Sequence, residues 1–383
     1  MKYKVYAVSC PDYDHAPAAI ARLLEEMGGM SSFAHPGETL LLKVNLLSGS
    51  RPEQAVTVHP AVVEAVAKQV SRSGAAPLIA DSPGPSGSYT EGGLRGVYDK
   101  CGMTRAADRS GAALNFDVSA RRVSYPEGRV LRQMEVITPA AECDGMINLC
   151  KMKTHMFMSM TGAVKNHFGL IPGKAKVGFH ATLPEKPRFA HMLLDLAGWA
   201  APRLSIMDAV LAMEGDGPGA AGTPRPVGLL LAAESPLALD VVAAEIMGLP
   251  AAENPILQAA RQRALHPVSM DEIELVGAGI EDLRIPDYRF PAHVHTNLMD
   301  VAGPLSGLAA RLGQRLLPPA PQIKKSCIGC GICQRSCPQG AITLSSGKAK
   351  VAPAACIRCY CCHELCPHQA VALRKGLFAR IFH

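Results

Sequence analysis

Two runs, CIGCGICQRSCP (residues 327–338) and CIRCYCCHELCP (residues 356–367), repeat one pattern: Cys327-x2-Cys330-x2-Cys333-x3-Cys337-Pro338 and Cys356-x2-Cys359-x2-Cys362-x3-Cys366-Pro367. Three thiolates of a tight loop hold three irons of a cubane, while the fourth cysteine leaves on a helix and reaches the neighbouring cluster. The spacing therefore assigns Cys327, Cys330, Cys333 and Cys366 to one [4Fe-4S] cluster, and Cys356, Cys359, Cys362 and Cys337 to a second. Zinc also takes CxxC pairs, but two complete four-cysteine runs, each closed by proline, are poorly explained by tetrahedral sites. Cys361 sits inside the second run but outside the ligand register.

Working outward, nine of the thirteen cysteines fall between Cys327 and Cys366, and no secretion signal accompanies them, which favours metal ligation over disulfides and a cytoplasmic protein. No run of about 18 uncharged apolar residues is present, so no membrane span is expected. Residues 321–383 hold nine Lys/Arg against a single acid, Glu364. Basic surroundings stabilise the reduced, more negative cluster, so a raised potential and an acidic redox partner protein are expected. No helix-turn-helix, RNA-recognition or zinc-finger pattern stands beside this charge, which argues against nucleic acid. The stretch 296–322 ends in PPAPQ and reads as a semi-rigid linker between residues 1–295 and a small α+β domain at 323–373, with a basic tail at 374–383. The cysteine pattern resembles that of bacterial two-cluster ferredoxins over about residues 320–372. That resemblance implies a ferredoxin-like domain and one-electron transfer.

Residues 1–295 alternate β-rich and helical segments. KYKVYAV, LLLKVNLL, APLIADSPG, RLSIMDAV, PVGLLLAA and DEIELVG read as strands; AVVEAVAKQVSRSG and SPLALDVVAAEIMG, capped by Ser235 and ended by Gly248, read as helices. The pattern predicts a large α/β domain with a mostly parallel sheet, whose sites lie in loops beyond strand ends.

One such region is KMKTHMFMSMTGAVKNHFGLIPGKAKVGFH (residues 151–180), with five lysines and three histidines. A helix expected over 158–168 would set Thr161 and Lys165 four apart on one face with Asn166 beside them, after a loop carrying Lys151, Lys153 and His155. Cationic groups at a strand end suit a small anionic ligand. Lys153, His155 and Lys165 are the candidates for charge stabilisation or proton transfer. Lys43, Asn45, Thr161, Asn166, His180 and Asp208 are candidates for binding, with Asp81 and Glu214 nearby in the pattern.

KVN (43–45), KMKTH (151–155), TGAVKN (161–166), SIMDAV (205–210), GDGP (215–218) and ALD (238–240) together resemble the domain of unknown function 362 family, over about residues 35–250. That family is often fused to a ferredoxin module and implies no agreed reaction. His155, Lys165 and His180, with Gly173 between the last two and Arg51-Pro52 upstream, are also similar in order to the nickel-pincer lactate racemase family. The chain departs from it by carrying TGAVK where a double glycine would precede the lysine.

Three functions follow as expectations. In the first, an oxidoreductase, the clusters exchange electrons with a substrate or cofactor held by the α/β domain. In the second the chain is an electron carrier or docking module without chemistry of its own. In the third it is a racemase-like metal-cofactor enzyme with structural clusters.

Overall fold

The computed structural model describes residues 2–84, 89–291 and 320–374. The large domain comprises strands β1 (Tyr3–Ser9), β2 (Thr39–Lys43), β3 (Ala76–Ala80), β4 (Ala113–Leu114), β5 (Ala120–Ser124), β6 (Gln133–Ile137), β7 (Gly145–His155), β8 (Ser159–Thr161), β9 (Leu204–Gly215), β10 (Gly222–Ala233) and β11 (Ile273–Val276). Among the described residues nine of these form one sheet in the order β11-β1-β10-β9-β7-β2-β3-β4, with β8 beside β7; β5 and β6 make a separate hairpin. The run from β9 through β7, β2 and β3 to β4 is parallel, as is β1 with β11. The antiparallel pairings are β1 with β10, β10 with β9, and β7 with β8.

Both faces of the sheet are covered, because side chains alternate along each strand. Leu40 and Leu42 of β2 join Ile20 and Leu23 of a helix over Ala16–Glu26 and Val62 and Val66 of another over Pro60–Arg72. Leu41 turns to the opposite layer, with Phe189 and Leu193 of a helix over Lys186–Ala200 and Val242 and Ile246 of one over Pro236–Met247. Each fully buried Leu, Ile or Phe contributes roughly 1.5–3 kcal/mol. Ser235 caps the last helix by accepting the Ala238 N–H at 3.2 Å, and Gly248 ends it at φ 70.

Residues 151–168 depart from expectation. The expected loop carrying Lys151, Lys153 and His155 is instead the end of β7, because β8 folds back on it in the register Lys153↔Thr161, Thr154↔Met160 and His155↔Ser159. The ladder satisfies the backbone groups a helix over 158–168 would have used. Helix is left only at Ala163–Asn166, followed by a 3-10 turn over His167–Leu170. Asp240 accepts the N–H groups of Ala163 at 2.5 Å and Val164 at 3.0 Å at the start of that turn.

In the small domain β12 (Ala320–Ile323) pairs with β15 (Val371–Arg374), and β13 (Ile342–Ser345) forms a hairpin with β14 (Lys348–Val351). One-turn helices span Ile332–Arg335 and Cys361–Glu364. Ala320–Gln322, expected at the end of the linker, open β12. The rest of that linker from 296 to 319, and residues 375–383 of the basic tail, lie outside the described residues.

Candidate functional site

Strand β7 builds the site. Ile147 and Leu149 pack in the same apolar layer as Leu40 and Leu42. Two-residue periodicity then carries the following odd positions, Lys151, Lys153 and His155, and all three are buried. Each finds a different partner. Lys151 Nζ meets Asp208 Oδ2 at 2.8 Å and the Tyr13 hydroxyl at 2.9 Å, while Asp208 also accepts from Tyr13 and from the His59 N–H. Lys153 Nζ donates to Asn45 Oδ1 at 2.8 Å and to the Val56 carbonyl at 2.6 Å. His155 Nδ1 accepts the N–H groups of Phe157 at 3.0 Å and Met158 at 3.2 Å, which places its proton on Nε2, 3.4 Å from Glu364 Oε1 of the small domain.

A pocket opens between the two domains, lined on the large-domain side by Asn45, Asp81, Ser82, Lys153, Thr161, Lys165, Asn166, Lys176 and His180. Cys361, Glu364 and Leu365 of the small domain form its far wall. Of the predicted residues, Asn45, Lys153, Thr161, Lys165, Asn166 and His180 therefore come together. Lys43 lies beneath the pocket, ion-paired with Asp81 at 2.9 Å. His155 stands behind Glu364, and Asp208 belongs to the separate cluster around Lys151 and Tyr13. Glu214 pairs with Arg225 and Arg289, away from the site.

Lysines and hydroxyls outnumber the two carboxylates, Asp81 and Glu364, in the pocket lining. Thr161 Oγ1, Ser82 Oγ and His180 Nδ1 are buried without partners among the described residues. Lys165 likewise makes no hydrogen bond there; burial lowers its pKa, and the Glu364 carboxylate opposes that. Burial, and after it the charges of Lys165 and Lys151, pulls Lys153 down to about 7. Burial also pulls Lys176 to about 7, against the Asp81 carboxylate; its ammonium donates to the carbonyls of Ser82 and Pro83. Lys153 and Lys176 thus each hold two backbone or amide acceptors and keep one ammonium position for the pocket. His180 stacks on Phe189 at 4.8 Å, and burial drives it to about 3, so its ring is neutral. Such a set of donors is suited to a small anion.

The cysteines surround two cavities. One is lined by Cys327, Cys330, Cys333 and Cys366, the other by Cys337, Cys356, Cys359 and Cys362 together with Cys361. The fourth cysteine of each run thus sits with the other run's first three. Backbone N–H groups already point at sulfur: Ala349 at Cys327 (3.5 Å), Ala341 at Cys337 (3.2 Å) and Ala370 at Cys366 (3.2 Å). Among the described residues no three His, Cys, Asp or Glu side chains converge on a single-ion site. Four thiolates spread round a cavity fit a cluster in which each iron takes one.

The sequence matches the family described as Domain of unknown function (DUF362) over residues 40–245, more than half of the chain. The chain belongs to this family. In this DUF362 protein residues 326–370 also match the 4Fe-4S dicluster domain, which supports iron-sulfur clusters and an electron-transfer role. A thylakoid-associated protein of Synechocystis sp. is 37% identical over 261 residues, 66% of this chain and 77% of that protein. The lactate racemase apoprotein of Thermoanaerobacterium thermosaccharolyticum aligns at 13% identity with a TM-score of 0.39, over 65% of this chain and 58% of that structure. Among the described residues no helix is long and apolar enough to cross a membrane.

Sequence reasoning missed the pocket wall formed by Cys361, Glu364 and Leu365, and the part played by Ser82 and Lys176. A signal existed for one of them: Glu364 is the lone acid of a basic segment.

Proposed function

We propose that this DUF362 protein is an iron-sulfur oxidoreductase that moves electrons between a partner protein and a small anionic substrate or cofactor held in the interdomain pocket. It divides into an α/β domain (1–295), a linker and a two-cluster module (323–373). The observation that carries this reading is Cys361, which lines both the pocket and the second cysteine cavity and is bonded to Cys362. The proposed ligands are Cys327, Cys330, Cys333 and Cys366 for one [4Fe-4S] cluster and Cys356, Cys359, Cys362 and Cys337 for the other; bound there, the clusters supply one-electron transfer. Lys165, Lys153 and Lys176, with the Thr161 and Ser82 hydroxyls, bind the anion and stabilise the charge it gains. A lysine of pKa about 7 is also poised to exchange a proton with a group that has changed charge. Glu364 and Leu365 exclude water on the module side.

The test is an anaerobic redox titration followed by electron paramagnetic resonance, with iron and sulfide counted on the same samples, for the wild type and Lys165→Ala. Small carboxylates and inorganic phosphate serve as probes of the pocket. Two spin-coupled signals are expected in both proteins, with a probe-induced change in the wild type that Lys165→Ala loses. Clusters that stay inert across the accessible range would make them structural and overturn the reading.

A further inference from the structure

The two cysteine cavities are not equivalent. The second adjoins the interdomain pocket through Cys361. The first is lined by Ile328 and Leu344, which are 63% and 41% exposed, and by the exposed Cys330. Large apolar side chains standing open over a redox site are unusual on a surface that touches only water.

Around them the surface is basic. Arg335 reaches the Cys330 carbonyl at 3.5 Å, and a Cβ on Gly331 would lie 2.8 Å from the same guanidinium and 3.6 Å from Leu344. Lys348 Nζ donates to the Lys325 carbonyl at 3.0 Å, which brings β14 beside the exposed pair Lys324 and Lys325. Glu364, the lone acid of residues 320–374, is buried in the interdomain pocket and faces Lys165.

We infer that the face formed by Ile328, Cys330 and Leu344, rimmed by Lys324, Lys325, Arg335 and Lys348, is the docking surface for an acidic one-electron carrier protein. The inference rests on the electron-transfer reading above and adds the partner's chemistry and its place of contact. A small apolar centre excludes water at the point of exchange. The cationic rim steers an anionic partner and sets its orientation, while leaving the complex weak enough to separate. In the exchange one electron leaves the carrier, which is oxidised by one, and enters the protein at the Cys327, Cys330, Cys333 and Cys366 site, which is reduced by one; no bond forms and no proton moves.

The test uses the full-length, cluster-loaded protein with an acidic [2Fe-2S] ferredoxin as probe. Stopped-flow reads electron transfer from the reduced probe, and fluorescence anisotropy reads binding of the labelled, oxidised probe. The wild-type rate should fall as ionic strength rises, and the double variant K325E/R335E should slow it about tenfold or more at low salt and lose binding. Ile328→Gln should weaken binding at all salt concentrations. Iron and sulfide content and full reduction by dithionite should be unchanged in every variant. Unaltered rate and binding in K325E/R335E would overturn the inference. So would a wild type that ignores the ferredoxin but binds phosphatidylserine vesicles through the same residues, which would make this face a membrane contact. Lys165→Ala separates the two readings: it alters the response to pocket probes and leaves carrier binding intact, so either reading can fail alone.

Discussion

Replacing Lys153 by Met should change how the stability of this protein depends on pH. Lys153 is 1% exposed, donates to Asn45 and Val56, and is pulled from 10.5 to about 7, chiefly by burial. The folded protein therefore releases this proton near pH 7, whereas the unfolded chain holds it to about 10.5. Between those values the unfolded state binds more protons, so stability rises with pH, by about 1.4 kcal/mol per pH unit for one such lysine. Below pH 7 the folded state must hold the charge, at a cost on the order of 5 kcal/mol across the whole shift. Met removes that cost. It also leaves the Asn45 and Val56 oxygens without their donor, a loss of about 1–3 kcal/mol each that does not vary with pH. Lys176, whose shift does not involve Lys153, contributes equally to both proteins and cancels in the difference. Anaerobic urea unfolding followed by Trp199, the single tryptophan, measures it at pH 7, 8 and 9. The stability of Lys153→Met minus that of the wild type should fall by about 1 kcal/mol from pH 7 to 8 and by about 1.3 kcal/mol from pH 8 to 9. Parallel curves for the two proteins would refute the reasoning, because they would mean that folding does not alter the proton affinity of Lys153.

Cys361→Ala should leave iron and sulfide counts at wild-type values, whereas Cys366→Ser should disrupt the cluster held by Cys327, Cys330 and Cys333; iron lost from Cys361→Ala would break the interleaved assignment. Asp240→Asn keeps one acceptor for the N–H groups of Ala163 and Val164 and turns an amide NH2 toward the other, so thermal unfolding should register a loss of about 1–3 kcal/mol. Substituting Lys324 and Lys325 together by Glu should lower the midpoint potential of the first cluster in a redox titration, since negative neighbours disfavour its reduced form; an unmoved midpoint argues against electrostatic tuning by this face.

Much of this architecture is legible in the chain because its signals are local. Cysteine spacing carries the ligand pattern, and the apolar runs LLLKVNLL and MINLC mark strands with polar residues near or just past their ends. The pocket-lining set Asn45, Lys153, Thr161, Lys165, Asn166 and His180 was recoverable because all but Asn45 fall in one stretch, residues 151–180, dense in lysine and histidine. The rest depended on contacts that local pattern does not encode. Residues 158–168 have a helical composition, yet β8 exists because β7 offers it an open edge. Asp208 falls outside the pocket because Tyr13, 195 residues away, and Lys151 draw it into a neighbouring cluster. His155 faces Glu364, a partner that only the docking of the two domains brings within 3.4 Å.

The wall formed by Cys361, Glu364 and Leu365 has a consequence for biogenesis. These residues leave the ribosome well after every other pocket residue, and the one-turn helix that bears most of them lies between Cys359 and Cys366. On the proposed ligation, a newly made α/β domain stays open at the site until metal has been installed in the module. A chain starved of iron would accumulate with its binding cleft unsealed. Cofactor insertion would then act as a maturation checkpoint, delaying capture of the proposed anionic substrate until the means of exchanging electrons with it is in place.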